Sequence, residues 1–109
     1  MIVEQGVPVS VLIIGRRRRV VDKAATALRG EGFAAAGVTA DEDAARLLAA
    51  GGVTALVIGG GVGPVSRERL AGLARAAGAA VIHGRIGFGG VRSYVRKRLI
   101  PELRRGPAA

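Results

Sequence analysis

Residues 9–30 read VSVLIIGRRRRVVDKAATALRG, and two periodicities meet inside them. Val9 to Ile14 is an apolar run that stops at Gly15. Its length and composition suit a strand buried on both faces of a parallel sheet. After four consecutive arginines, Val20, Val21, Ala24, Ala25 and Leu28 recur on one helical face, and Gly30 with Gly32 ends it. A buried strand followed at once by an amphipathic helix is the first half of a βαβ unit.

The pattern repeats along the chain. Phe33 to Val38 is a weaker strand of small residues, and Thr39-Ala40-Asp41-Glu42 has the spacing of a capping box, in which Thr39 and Glu42 satisfy each other's amides. The helix it opens carries Ala44, Ala45, Leu47 and Leu48 and ends at Gly51-Gly52. Val53 to Ile58 is a second strong strand, followed by the loop Gly59-Gly60-Gly61-Val62-Gly63-Pro64. Ser66 is the expected cap of a third helix with Leu70, Leu73, Ala74 and Ala77 inward, and Ala79 to His83 is a third strong strand after Gly78. Right-handed crossovers then require a parallel sheet with helices on both faces. The expectation is a small three-layer, doubly wound α/β domain with four strands in the order 2-1-3-4. Residues 86–90, IGFGG, leave room for a short fifth strand. Val91 to Arg105 is expected to form a C-terminal helix with Val91, Tyr94, Val95, Leu99 and Leu103 on one face, kinked or broken by Pro101.

At 109 residues the chain fits one domain, with a βα core over 8–83 and a glycine-rich loop and basic helix over 84–105. Aromatic residues make up 3%, so the core must be Val, Leu, Ile and Ala, and bases would find no stacking platform. Cysteine is absent, which removes disulfides, thiolate catalysis and zinc ribbons together. The apolar runs are strand-sized, far short of the ~20 residues of a membrane span. Glu4 and Gln5 stand where a signal peptide carries bases, so a cytoplasmic protein without membrane contact is expected.

The net charge is +9, and of 17 basic residues only Lys23 and Lys97 are lysine. Beside so much Ala and Gly, such an arginine bias is discounted as coding composition. Its distribution is more informative. Arg16 to Arg19 stand together, and Arg85, Arg92, Arg96, Lys97, Arg98, Arg104 and Arg105 face one acid, Glu102.

The span from Val9 to about His83, with its short first strand and the stretch ALVIGGG at 55–61, resembles a response-regulator receiver domain. The resemblance implies a flavodoxin-like scaffold. Receivers hold magnesium with acids just after the first strand, where this chain has Gly15 and Arg16. The phosphoacceptor position falls at Gly59 or Gly60, the switch hydroxyl at His83 or Gly84, and the late lysine has no counterpart. The expectation is a degenerate receiver-like domain, a non-catalytic regulatory or protein-interaction module without phosphorelay chemistry.

Open α/β sheets bind ligands at the carboxyl ends of their strands where strand order reverses. In the order 2-1-3-4 that crevice has Gly15, Arg16, Arg17 and Arg18 on one wall and Gly59, Gly60, Gly61 and Gly63 on the other, with His83 on the same rim. Cations in a first helical turn oppose the macrodipole at ~0.3–1 kcal/mol each. Four together point to an anion: a phosphate, a nucleotide or another small anionic ligand. Neither GRRRRVVDK nor GGGVGPVS is a P-loop or a dinucleotide fingerprint. His83, the one histidine, has no Ser, Asp or Glu beside it in sequence, so no catalytic residue is assigned. Asp41, Glu42 and Asp43 favour a helix dipole without a metal. No metal or cofactor is expected. The fourth strand would be an edge, so Val81 and His83, with Val91, Tyr94, Val95, Leu99 and Leu103, are candidates for a homodimer interface unless the helix packs on its own sheet. Nucleic acid held by the basic C-terminal helix is a further expectation.

Overall fold

The computed structural model describes residues 9–84 and 90–105. Four strands, β1 (Val11–Ile14), β2 (Ala35–Val38), β3 (Ala55–Ile58) and β4 (Ala80–His83), form one parallel sheet in the order β2-β1-β3-β4. Helices α1 (Arg18–Gly30), α2 (Asp41–Ala50) and α3 (Pro64–Ala76) make the crossovers. A C-terminal helix, α4, is α-helical over Gly90–Tyr94, π-helical over Val95–Leu99 and α-helical again over Ile100–Arg105. This is the doubly wound α/β architecture that the strand and helix alternation implies. The fifth strand considered at 86–90 lies outside the described residues except for Gly90, which opens α4 with φ +80°.

Side-chain alternation along the strands builds two cores. Leu12, Ile14, Leu56 and Ile58 pack beneath α2 and α3 with Ala44, Leu48, Leu70, Ala71 and Ala74. Val11, Ile13, Ala35 and Val57 pack beneath α1 and α4 with Val21, Ala24, Ala25, Leu28, Val95, Leu99 and Ile100. The strands run in phase, so Ile14, Val38, Ile58 and His83 end level. The ladder then runs one residue further through glycines: Gly15 N–H donates to Val38 O (3.2 Å), Gly59 N–H to Ile14 O (2.8 Å) and Gly84 N–H to Ile58 O (2.8 Å). Three glycines thus form the carboxyl rim of the sheet.

Several local expectations are corrected. The capping box does not form: α2 starts at Asp41 behind Ala40, without a side-chain cap. Thr39 Oγ1 lies 3.5 Å from an Arg18 guanidinium nitrogen, and Glu42 pairs with Arg69. Ser66 is not a cap either, because α3 opens two residues earlier at Pro64, whose fixed φ suits a first helical position. The buried stripe of α3 is Leu70, Ala71 and Ala74, while Leu73, at its flank, is 37% exposed and Ala77 is exposed at the C-cap. At Pro101 the helix is not broken. Pro101 has no N–H to donate to Lys97 O, and the residues just before it take the wider π register, in which Ile100 N–H donates to Val95 O. The extra residue in that turn brings Ile100 into the core beside Leu99.

With so few aromatics the helices approach the sheet closely, and Val21 of α1 marks the tightest point. A Cβ on Gly15 would sit 2.9 Å from Val21 Cγ2, and one on Gly37 would overlap Val21 Cγ1 outright. Gly37→Ala is therefore expected to destabilise the protein by about 1–3 kcal/mol. Adding Val21→Ala should recover part of that loss, so the double variant falls short of the added single effects. Urea midpoints of the four proteins check this.

Candidate functional site

The four arginines that follow β1 have different fates. Helix α1 begins at Arg18, with Arg17 as an N-cap that makes no side-chain capping bond and no acid in the first turn. Arg18 and Arg19 therefore do lie against the positive end of the helix dipole. Arg16 turns across the rim and donates to Thr39 O and to Asp41 Oδ1, both at 2.8 Å. Arg18 turns toward β2, donating to Gly37 O (3.2 Å) and Asp22 Oδ1 (3.3 Å). Arg17 makes no hydrogen bond or ion pair among the described residues and remains exposed.

Asp41 is the hub of this rim. It accepts from Arg16 on one oxygen and from the Ser66 hydroxyl on the other, so one carboxylate ties the β1 loop, α2 and α3 together. The Ser66 hydrogen bond is the largest influence holding its carboxyl below the ordinary value of 3.8; burial opposes it, and Arg16 and Arg69 add to it. Among the described residues no three His, Cys, Asp or Glu side chains come together to hold a metal ion.

Arg67 has no place among the sequence candidates, yet it organises the far side of the rim. From the first turn of α3 it donates to Gly59 O (2.6 Å) and Val62 O (3.3 Å), and its other nitrogen lies 2.7 Å from His83 Nδ1. An arginine has only protons to give, so His83 accepts at Nδ1 and carries its proton on Nε2. Ser66 is engaged by Asp41 and His83 by Arg67, so these two do not form a nucleophile and base pair. The position of Arg67, four residues after Gly63, was readable as a helix-start arginine facing a glycine loop, but its partners are carbonyls that sequence does not display.

The crevice at the point of strand reversal exists as a cavity of about 350 Å³. Its apolar lining comes from Ile13, Ile14, Val20, Val21, Ala24, Val57, Val91 and Leu99, its polar groups from Arg16, Arg17 and Tyr94, and glycines 15, 59, 60, 61 and 84 complete it. Of the expected ligand residues, Gly15, Arg16, Arg17, Gly59, Gly60 and Gly61 meet here. Arg18, Gly63 and His83 do not line it: Gly63 caps α3, and His83 is exposed at the end of β4.

The glycines divide by cause. A Cβ on Gly59 would lie 3.3 Å from Ile14 O, and one on Gly84 would lie 3.2 Å from the Tyr94 hydroxyl, so both allow elements of the chain to meet. Among the described residues, a Cβ on Gly60, Gly61 or Gly63 would meet nothing closer than 3.8 Å, and none of the three has a positive φ. Neither packing against the described residues nor backbone conformation requires those three.

The expected interface residues are also placed. Val95 and Leu99 are buried in the chain's own core, with Val91, Tyr94 and Leu103 packed half-buried against it, so α4 covers its own sheet. Val81 packs half-buried on the α2/α3 side of β4. Among the described residues no helix is long and apolar enough to cross a membrane. No family model matches the chain, and no curated protein or solved structure matches it.

Because Asp41 titrates lower in the folded chain than the ordinary 3.8, the unfolded state binds more protons through that window. Its stabilisation is full above about pH 4 and is lost as pH falls through the depressed value. Asp41→Asn is expected to cost about 1 kcal/mol at neutral pH. The gap between variant and parent should narrow in acid, which urea midpoints at neutral pH and near pH 3 measure.

Proposed function

We propose that this chain is a non-catalytic regulatory or protein-interaction module on a receiver-like scaffold, without phosphorelay chemistry, acting as a cytoplasmic homodimer. The observation that supports it most is the composition of the carboxyl rim. Where a receiver gathers acids for a cation and a phosphoryl group, Gly15 and Gly59 lie against each other, with a Gly59 Cβ only 3.5 Å from Gly15 Cα. The rim carboxylate that is present, Asp41, is consumed by Arg16 and Ser66. Such a rim fixes structure rather than turning over a bond.

The dimer rests on β4. Among the described residues it pairs with β3 alone; Ala80 and Gly84 donate toward the β3 side, to Thr54 O and Ile58 O, which leaves the peptide groups of Val81 and His83 facing outward. Pairing with its twin across a two-fold axis would satisfy that edge. Sedimentation at micromolar concentration is expected to show a dimer. Monomer alone in the parent protein overturns this part of the proposal.

A second reading is favoured by Arg17 and the cavity: a binding site for a phosphate-containing or nucleotide ligand. An uncommitted guanidinium stands at an apolar cavity beside glycines whose freedom the chain does not itself use. At about 350 Å³ the space is at the small end of ligand pockets. Arg17→Ser supplies the missing cap and should raise stability by ~0.5–2 kcal/mol. A thermal-shift series with inorganic phosphate and nucleoside phosphates at low salt should stabilise the parent and not the variant. No response in the parent removes this reading and leaves the first intact.

A further inference from the structure

The doubly wound topology sorts the charges into layers. Helices α1 and α4 cover one face of the sheet and carry ten basic side chains against two acidic ones, Asp22 and Glu102. Helices α2 and α3 cover the other face and carry four of each. A coding bias toward arginine would load both layers alike. The segregation follows the three-dimensional arrangement, joining two segments about seventy residues apart in sequence, and composition does not account for it.

From this we infer that the α1/α4 layer is a binding surface for the phosphate backbone of duplex nucleic acid. All ten basic residues are exposed. Arg18 pairs with Asp22 and Arg105 with Glu102, whereas Arg19, Lys23, Arg92, Arg96, Lys97 and Arg98 make no ion pair among the described residues. Lys23, Arg92 and Arg96, together with the acids Asp22 and Glu31, line an open groove of about 830 Å³ between α1 and α4. Eight of the ten are arginine, whose planar fork matches phosphate oxygens. The molecule measures 35 × 34 × 31 Å, so one face spans about one turn of duplex, ~34 Å.

The chemistry of the layer selects among polyanions. Single strands are held by stacking on aromatic rings, and the aromatic residues described, Phe33 and Tyr94, are both half-buried. Membrane surfaces and acidic protein partners reward apolar side chains at the contact. The exposed large apolar residues described, Val65 and Leu73, belong to α3 in the neutral layer. A surface of cations without apolar anchors fits backbone contact that does not read base sequence.

The test is fluorescence anisotropy with the full chain and a labelled duplex of about 20 base pairs, at salt from about 50 to 200 mM. Binding is expected at the lower salt, falling on the order of 100-fold or more across the range. Neutralising the basic layer with Arg92→Gln, Arg96→Gln and Lys97→Gln should weaken binding by about 20-fold or more and flatten the salt slope by about 3. Removing three charges from the other layer, with Arg46→Gln, Arg69→Gln and Arg75→Gln, should weaken it by less than about 3-fold. Thermal melts check that both triple variants are folded, and Arg92→Lys with Arg96→Lys should keep most of the binding. Equal loss from the two triples overturns the assignment, because net charge alone would then be responsible. So do absence of duplex binding at the lower salt, equal or tighter binding of a single strand, and binding of phosphatidylglycerol vesicles without binding of duplex.

Discussion

Val21 lies against two glycines, and that contact sets the dimensions of the molecule. One methyl of Val21 comes within 2.9 Å of where a Cβ on Gly15 would stand, and the other occupies the space a Cβ on Gly37 would need. Helix α1 therefore sits lower on β1 and β2 than side chains of ordinary size would allow. A core without aromatic bulk has to gain its dispersion energy from closeness, since each pair of atoms contributes only ~0.1–0.2 kcal/mol at optimal separation. Fully buried Leu12, Ile14, Leu28, Leu56 and Ile58 supply that closeness on the two faces of the sheet.

The same contact explains why the carboxyl rim is made of glycine. Gly15 is both the residue beneath Val21 and the residue whose Cα meets the Gly59 position across the point of strand reversal. Side chains there would separate α1 from the sheet and β1 from β3 at once. The rim consequently has no carboxylate at either strand end, and its polar connections come from further along the chain: Arg16 and Ser66 on Asp41, and Arg67 on Gly59 O and His83. Packing of the small core and the glycines at the ends of β1 and β3 trace to one steric requirement.

Sequence periodicity carried the fold because strand and helix alternation is local. The runs at 11–14, 55–58 and 80–83 and the stripe Val21, Ala24, Ala25 and Leu28 lie where the pattern places them. Local pattern failed where a distant partner competed. Thr39 and Glu42 have the spacing of a capping box, but Arg18 reaches Thr39 and Arg69 reaches Glu42, and both arginines come from other elements. Ser66, already inside α3, instead donates to Asp41, 25 residues away in sequence. Arg67 could be placed near a helix start but not given partners, because its acceptors are mostly backbone carbonyls, which every residue possesses. Within the candidate site, residue type named Arg16 to Arg18 together, while only the fold separates the committed Arg16 and Arg18 from the uncommitted Arg17.

Charge required both levels of description. Along the chain, the arginines near residue 17 and those near residue 97 are two separate clusters, each explicable as a solvated helix face. Once β1 and β3 are neighbours and α4 returns to the α1 side, the clusters become one surface. Like charges held side by side on adjoining helices raise the free energy of the folded state, and the neutral layer shows that the same chain can place acids among its bases. That cost is what the polyanion contact we propose would offset. The arginine at position 17 follows the same logic on a smaller scale, since serine or aspartate there would cap α1 better than the residue present.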